Sequence, residues 1–357
     1  MSVPEAQHHV DKTPLIYPDY VGVTIPSNVA PLRFMMDGVV EDAVAVLSVG
    51  EHQLVEKAEE GKFLFAEKDW SRLMEAAKGD SISVKVFEKK NGEWLAYQSF
   101  GIHVAQDEID GYLAYRLIPP GYEQWHQMGL YQRDLTSFDE EVIVDNRQTD
   151  FNCVNCHSFR MHQPDDMVFH MRSTFGGTYV WTDGKLEKLD GKVSADIASL
   201  VYPYWHPSGD YVAFSTNKTN QMFHMKDKNR IEVFDSASDV LVYDVKNHRV
   251  LTDSLLFSKG AFETFPSFSP DGKTVAFSYK GDIYLVSSQG GEASQLTSAP
   301  AYDYAPIWSP DGQTLAFASD RHGNFDIYTI SVNGGTPVRV TTHSAKETPW
   351  TFTPDGK

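Results

Sequence analysis

The chain has 357 residues, 41% hydrophobic and 13% aromatic, enough to bury more than one core and long enough for two domains. Its 49 acidic against 31 basic residues give a net charge of −18, a surface that repels phosphate backbones and anionic lipid and excludes nucleic acid as a partner. No apolar run approaches the roughly 18 residues that a membrane span requires.

Residues 1–14 read as a flexible N-terminus with neither a charged nor an apolar signal-peptide region. From 15 to 118, apolar runs at Leu32–Met36, Ala43–Val49, Lys62–Ala66, Ser81–Phe87, Trp94–Val104 and Gly111–Ile118 predict strands. One helix interrupts them: Trp70, Leu73, Met74 and Ala77 fall at helical spacing, and Gly79 follows as a C-terminal stop. This region reads as a β-sandwich-like domain. Residues 119–165 read as a connecting segment, in which the aromatic and polar run Gln124–Arg133 suits domain docking or cover for a cofactor.

The two cysteines of the chain fall in this segment, as Cys153-Val-Asn-Cys156-His157. In one helical turn, positions i, i+3 and i+4 share a face, so both sulfurs reach the two vinyl groups of a porphyrin while the imidazole reaches its iron. Asn152 suits the N-cap of such a turn and Pro164 its end. The pattern predicts one covalent haem c, with Cys153 and Cys156 as thioether positions and His157 as proximal ligand. Three rivals stand beside it: a redox dithiol, a zinc set of Cys153, Cys156, His157 and His162, and a plain disulfide or idle thiols. The distal ligand is sought at His224 or His170, with Met225, Met161 and His126 as further candidates. Arg172, on one strand face with His170, is a candidate partner for a haem propionate or else a solvated charge.

From 166 to 357 the sequence repeats. Tyr202-Pro-Tyr-Trp-His-Pro-Ser-Gly209 matches Phe265-Pro-Ser-Phe-Ser-Pro-Asp-Gly272 and Ala305-Pro-Ile-Trp-Ser-Pro-Asp-Gly312, each followed by an apolar strand, and a fourth copy begins near Trp350. Equivalent prolines at 207, 270, 310 and 354 give steps of 63, 40 and 44 residues. That is the period of propeller blades. Trp205, Phe268, Trp308 and Phe352 recur at one repeat position and so read as core rather than as a cofactor box; the Asp-Gly pairs read as turns. The long first step places an insertion at 217–237, after a second strand, where propellers carry insertions on one face.

These repeats, with Ser319-Asp-Arg-His-Gly-Asn-Phe-Asp-Ile-Tyr328, resemble the TolB-like propeller repeat. Six blades are usual in that family, so about four and a piece imply a chain that continues beyond Lys357. The order of β-rich domain, haem motif and TolB-like repeats, with Tyr17–Pro26 and Ala30–Phe34, resembles a bacterial secreted family often labelled as cytochrome c biogenesis proteins. The fold expected is therefore mainly β: a sandwich-like domain followed by a TolB-like propeller whose last blade is incomplete. The function expected is a periplasmic or outer-envelope monohaem electron carrier or redox sensor that docks a redox partner or envelope protein. The alternative is a non-redox scaffold that binds a protein, peptide or glycan. Peroxidase-like chemistry is left open, and no hydrolase, nucleotide or calcium motif is present.

Overall fold

The computed structural model describes residues 2–118, 127–189, 199–225, 231–252, 256, 262–353 and 355–356. Its contacts divide into two compact units, Met1–Pro119 with Gly129–Asp145 and Pro120–Met128 with Asn146–Lys357.

The first unit is a β-sandwich. Its larger sheet has seven strands, β1 (His8–Val10), β3 (Thr24–Ile25), β5 (Asp42–Val49), β6 (His52–Lys57), β8 (Ser81–Lys90), β9 (Glu93–Tyr97) and β10 (Phe100–Val104). The smaller has three, β2 (Ile16–Tyr17), β4 (Arg33–Met36) and β7 (Lys62–Leu64). Alternation decides which face is inside: Ile82, Val84 and Val86 of β8 are buried while Ser81 and Ser83 between them are exposed. Likewise β10 buries Phe100, Ile102 and Val104. The run Trp94–Val104 is thus two strands, β9 and β10, the second pairing with β8. Helix α1 (Glu67–Ala77) buries Trp70, Leu73, Met74 and Ala77, the four residues its spacing singles out. Gly79 at φ +79° lets the chain turn away after it. Full burial of such side chains stabilises by about 1.5–3 kcal/mol each. The Trp70 indole N–H is not left unpaired, since it donates to the Val29 carbonyl at 2.9 Å. A third sheet, β11 (Tyr112–Leu117), β12 (Gly129–Asp134) and β13 (Glu140–Asp145), completes this unit.

Among the described residues, the second unit is a row of four antiparallel meanders, the blades of a propeller. They are β14 (Val154–Phe159), β15 (Met167–Met171), β16 (Gly177–Thr182) and β17 (Lys185–Leu189); then β18 (Leu200–Trp205), β19 (Tyr211–Phe223), β20 (Ile231–Asp244) and β21 (Arg249–Leu251). The third is β22 (Glu263–Phe268), β23 (Thr274–Tyr279), β24 (Asp282–Ser287) and β25 (Ser294–Gln295). The fourth is β26 (Asp303–Trp308), β27 (Thr314–Ser319), β28 (Asp326–Ser331) and β29 (Val338–Arg339).

Blades join through repeated contacts. Trp205 Nε1 donates to the Ser158 carbonyl of the preceding blade at 3.3 Å, and Trp308 Nε1 to that of Ser267 at 3.2 Å. The repeated aromatic position is therefore core, with its polar atom satisfied. At the turn end, His206 Nε2 lies 3.0 Å from the Gly272 carbonyl, and a Cβ on Gly272 would stand 2.2 Å from that imidazole nitrogen. Gly209 meets the Arg160 side chain in the same manner.

The first strand of every blade carries one bulge. The register slips between Asn155 and Ser158, Val201 and Tyr204, Thr264 and Ser267, and Tyr304 and Ile307. Within these slips Cys156, Tyr202, Phe265 and Ala305 all stand in the left-handed region, at φ +49°, +50°, +53° and +55°. Such backbone costs about 1–3 kcal/mol at a non-glycine residue. Its exposed amide is capped in three of the four cases. Phe265 N–H donates to Ser215 Oγ at 3.1 Å, Ala305 N–H to Ser278 Oγ at 3.2 Å, and Cys156 N–H to Asn155 Oδ1 at 2.9 Å.

Candidate functional site

The cysteine segment is the first strand of the first blade. Cys153 immediately precedes β14, Cys156 is its bulge residue, and His157 falls where the later blades carry Pro203, Pro266 and Pro306. An extended, bulged strand does not bring positions i, i+3 and i+4 onto one face as a helical turn does. Asn152 does not cap a helix either: its Oδ1 accepts from Phe175 N–H at 2.8 Å, and its amide donates to the Thr149 carbonyl.

These findings correct the haem expectation. Among the described residues no group of three or more His, Cys, Asp or Glu side chains converges as a metal site. The zinc set falls with the haem, and the side chain of His162 lies outside the described residues, as does His126. Cys153 and Cys156 are half-buried thiols. The proposed axial ligands are held elsewhere. His224 Nε2 sits 2.9 Å from Glu232 Oε2 on the opposite strand of one hairpin, and Met225 beside it is almost fully exposed. Met161 belongs to the turn that follows β14.

His170 occupies the position of Ser215 and Ser278 in the later blades and is only 3% exposed. Its Nδ1 lies 3.0 Å from Thr178 Oγ1, and that hydroxyl donates to the Leu200 carbonyl at 2.8 Å. A hydroxyl carries one proton, so Thr178 must accept from Nδ1–H, which fixes the tautomer and leaves Nε2 an acceptor. Burial, with Arg172 adding to it, lowers the His170 pKa to about 4, so the ring is neutral at neutral pH.

His170 and Arg172 line a cleft of about 890 Å³ that also takes in Thr178, Lys188, Asn217 and Thr219. Arg172 N–H donates to the Cys153 carbonyl at 2.9 Å, which ties the cysteine segment to the cleft wall. Asp235 stands behind the wall, accepting from Asn217 Nδ2 and Thr219 Oγ1 at 2.6 Å each. Cys156, Arg172 and Asp235 all act electrostatically on Tyr202, whose hydroxyl is pushed up to about 12, chiefly by burial. The structure thus brings Cys156, His170 and Arg172 to one end of the blades.

Two further features share that end. The inserted residues extend β19 and β20 into a two-stranded arm, paired from Asn217–Ser238 out to Phe223–Ile231. In the other blades the corresponding connection is short, as at Lys280-Gly281. Across the inner strands runs a row of aromatic rings. Tyr202 and Phe265 have centroids 4.7 Å apart, Phe265 and Tyr304 5.8 Å, and Tyr304 and Phe325 5.1 Å. Tyr302 adjoins Tyr304 at 6.0 Å, and Lys346 Nζ lies 5.3 Å from the Tyr304 ring. Tyr202 and Tyr302 are 38% and 44% exposed. The row was not singled out from the sequence, although a signal was present: the residue before the repeated proline is Tyr202 in one copy and Phe265 in the next.

Residues 273–357 match the family model of the tricorn protease N-terminal β-propeller domain. No curated protein matches the chain. Among solved structures it is similar to TolB from Acinetobacter baumannii, with TM-score 0.48 and 15% identity over 82% of this chain and 75% of that one. A putative TolB from Agrobacterium tumefaciens gives TM-score 0.42 and 16% identity over 59% and 73%. Dipeptidyl peptidase 4 of Porphyromonas gingivalis gives TM-score 0.40 and 13% identity over 74% and 46%. Likeness at this distance says nothing of activity.

Proposed function

We propose that the chain is a non-redox binding scaffold of the cell envelope, which recognises a peptide or glycan laid across the aromatic row of its blades. One observation carries the reading: Tyr202, Phe265, Tyr304 and Phe325, from three successive blades, form a continuous chain of ring contacts with Tyr202 partly exposed at one end. Aromatic faces offer large contact area at low conformational cost, to sugar rings and to peptide side chains alike. The envelope location rests on the resemblance of the repeats. Among the described residues no helix is long and apolar enough to cross a membrane.

The test is a displayed peptide library and an oligosaccharide array, screened in parallel on the wild type and on a Tyr202→Ala, Phe265→Ala variant. Ligands that bind the wild type at least tenfold more tightly than the variant support the reading. If every ligand recovered binds both proteins equally, or none is recovered, the aromatic row is not a recognition surface.

A further inference from the structure

The cleft between the first and second blades shares an end with the aromatic row, where Arg172 acts on Tyr202, but has a chemistry of its own. Among the described residues its lining side chains include Arg172 and Lys188 and hydroxyls of Ser173, Thr174, Thr178 and Thr219, and the carboxylate behind it, Asp235, is engaged by Asn217 and Thr219. In a chain with a charge of −18, a concave wall whose described lining side chains carry two cations is a local reversal. Field lines from the surrounding acids oppose an anion, so only a local donor set can hold one there.

The lysine of that set is held before any ligand arrives. Lys188 Nζ donates to the Phe175 carbonyl at 3.3 Å and lies 5.5 Å from the Tyr179 ring centroid. The Tyr179 hydroxyl donates to the same carbonyl at 2.8 Å, and Phe175 N–H is held by the buried Asn152. Gly177, at φ +147°, gives the lysine its path: a Cβ there would stand 2.6 Å from Lys188 Cε. Arg172 leaves β15 at the start of this loop, with Ser173 at φ +79° next to it. Deep in the wall, His170 presents an acceptor, because its Nδ1–H is committed to Thr178.

We propose that this cleft binds a small anionic sugar, its carboxylate or phosphate paired with Arg172 and Lys188 and one of its hydroxyls donating to His170 Nε2. The guanidinium fork meets a carboxylate or phosphate with two parallel bonds, while the lysine adds a point charge. The hydroxyls of Ser173 and Thr174 suit the ligand's remaining hydroxyls. A cleft of about 890 Å³ lies in the range of small-molecule sites.

Calorimetric titration of the whole chain with D-glucuronate, glucose 6-phosphate, inorganic phosphate and glucose tests this at fixed ionic strength. Binding of either sugar acid, with glucose at least tenfold weaker, is the expected result; the two acids separate a carboxylate from a phosphate preference. Arg172→Gln is expected to weaken the acid by at least tenfold. Lys188→Gln, at an exposed position whose loss does not threaten folding, is expected to weaken it by a few-fold. Binding of inorganic phosphate as tight as either sugar would mark a bare anion site and overturn the sugar assignment. Unchanged affinity in both variants, glucose binding as well as glucuronate, or no binding of any probe would overturn the whole proposal. Lys188→Gln and the sugar probes leave Tyr202 and Phe265 unchanged, and the aromatic-row reading is judged on the Tyr202→Ala, Phe265→Ala variant, so the two binding readings fail separately.

Discussion

Replacing Arg321 by alanine tests whether the most polar part of the repeat is architecture. Asp303, which opens β26, has no exposed surface, and Arg321 Nη2 reaches its two carboxylate oxygens at 2.9 and 2.8 Å. The guanidinium also donates from Nε to Ser319 Oγ at 2.8 Å and lies 4.7 Å from the Tyr328 ring centroid. Arg321→Ala leaves Asp303 charged, buried and without its cation, a change that costs about 3–5 kcal/mol. For a unit of this size each kcal/mol moves the midpoint by roughly 2–4 °C, so a fall of about 6–20 °C is expected. The double variant Arg321→Ala, Asp303→Ala removes the stranded charge and is expected to be more stable than Arg321→Ala alone. Urea and thermal unfolding followed by tryptophan fluorescence measure both. A loss below about 1 kcal/mol, the worth of a surface pair, would refute the reasoning. So would a double variant whose loss is the plain sum of the singles.

Three further expectations follow from the same geometry. Gly272→Ala places a Cβ at φ +70° and 2.2 Å from the His206 ring, and should cost about 2–4 kcal/mol in denaturant unfolding; Gly290→Ala, with open space around it, should cost about 1 kcal/mol. His170 is held near pKa 4 in the fold against 6.5 when unfolded, so the unfolded chain binds the extra proton between those values. Stability is then fully present above pH 6.5 and falls as pH drops toward 4, by roughly 2–3 kcal/mol, and His170→Asn should flatten that slope in urea midpoints measured across the window. Replacing 220–234 with an Asn-Gly turn, while keeping Asn217, Thr219 and the Asp235 carboxylate that binds both, should leave the unfolding free energy within about 1 kcal/mol, because the arm pairs with itself beyond Thr219. A loss above about 3 kcal/mol on circular dichroism melts would make the arm part of the core.

Much of the fold is legible in the sequence because the hydrophobic period states it. The spacing of Trp70, Leu73, Met74 and Ala77 gives α1, the alternation in Ser81–Phe87 gives most of β8, and the excess of the first repeat step gives the arm. What escapes has little period to read. β6 (HQLVEK) buries no residue fully, and β2 and β3 are two residues each, held by partners rather than by pattern. The cysteine segment departs from its expected helical turn for a different reason. The i, i+3, i+4 spacing is a statement about chemistry only where the backbone is helical, and here Cys156-His-Ser-Phe159 sits in register with Tyr202-Pro-Tyr-Trp205. The signal lay downstream: Met167-Val-Phe-His-Met171 aligns with Val212-Ala-Phe-Ser-Thr216, which makes the segment before it an inner strand. With cysteine and histidine in place of the aromatic-proline pair, the first blade does not announce itself.

The two ends of the blades differ in what they leave open, and the proposed binding surfaces lie at one of them. At the turn end, each glycine is filled by a side chain of the blade before it, Arg160 on Gly209, His206 on Gly272 and Pro270 against Gly312. A ligand there would have to displace packed atoms. At the other end, the bulges lift one residue per inner strand out of the ladder, and what it carries changes from Cys156 to Tyr202, Phe265 and Ala305 while the backbone stays the same. The caps from Ser215 and Ser278 hold that backbone without calling on the lifted side chain. The Phe265 side chain is therefore relieved of a structural duty, and exchanging it should alter recognition far more than stability. The arm and the cationic cleft open on the same end because the connections after each second strand return there. In the proposed reading, the surface that holds the blades together is thus separate from the surface that meets a partner.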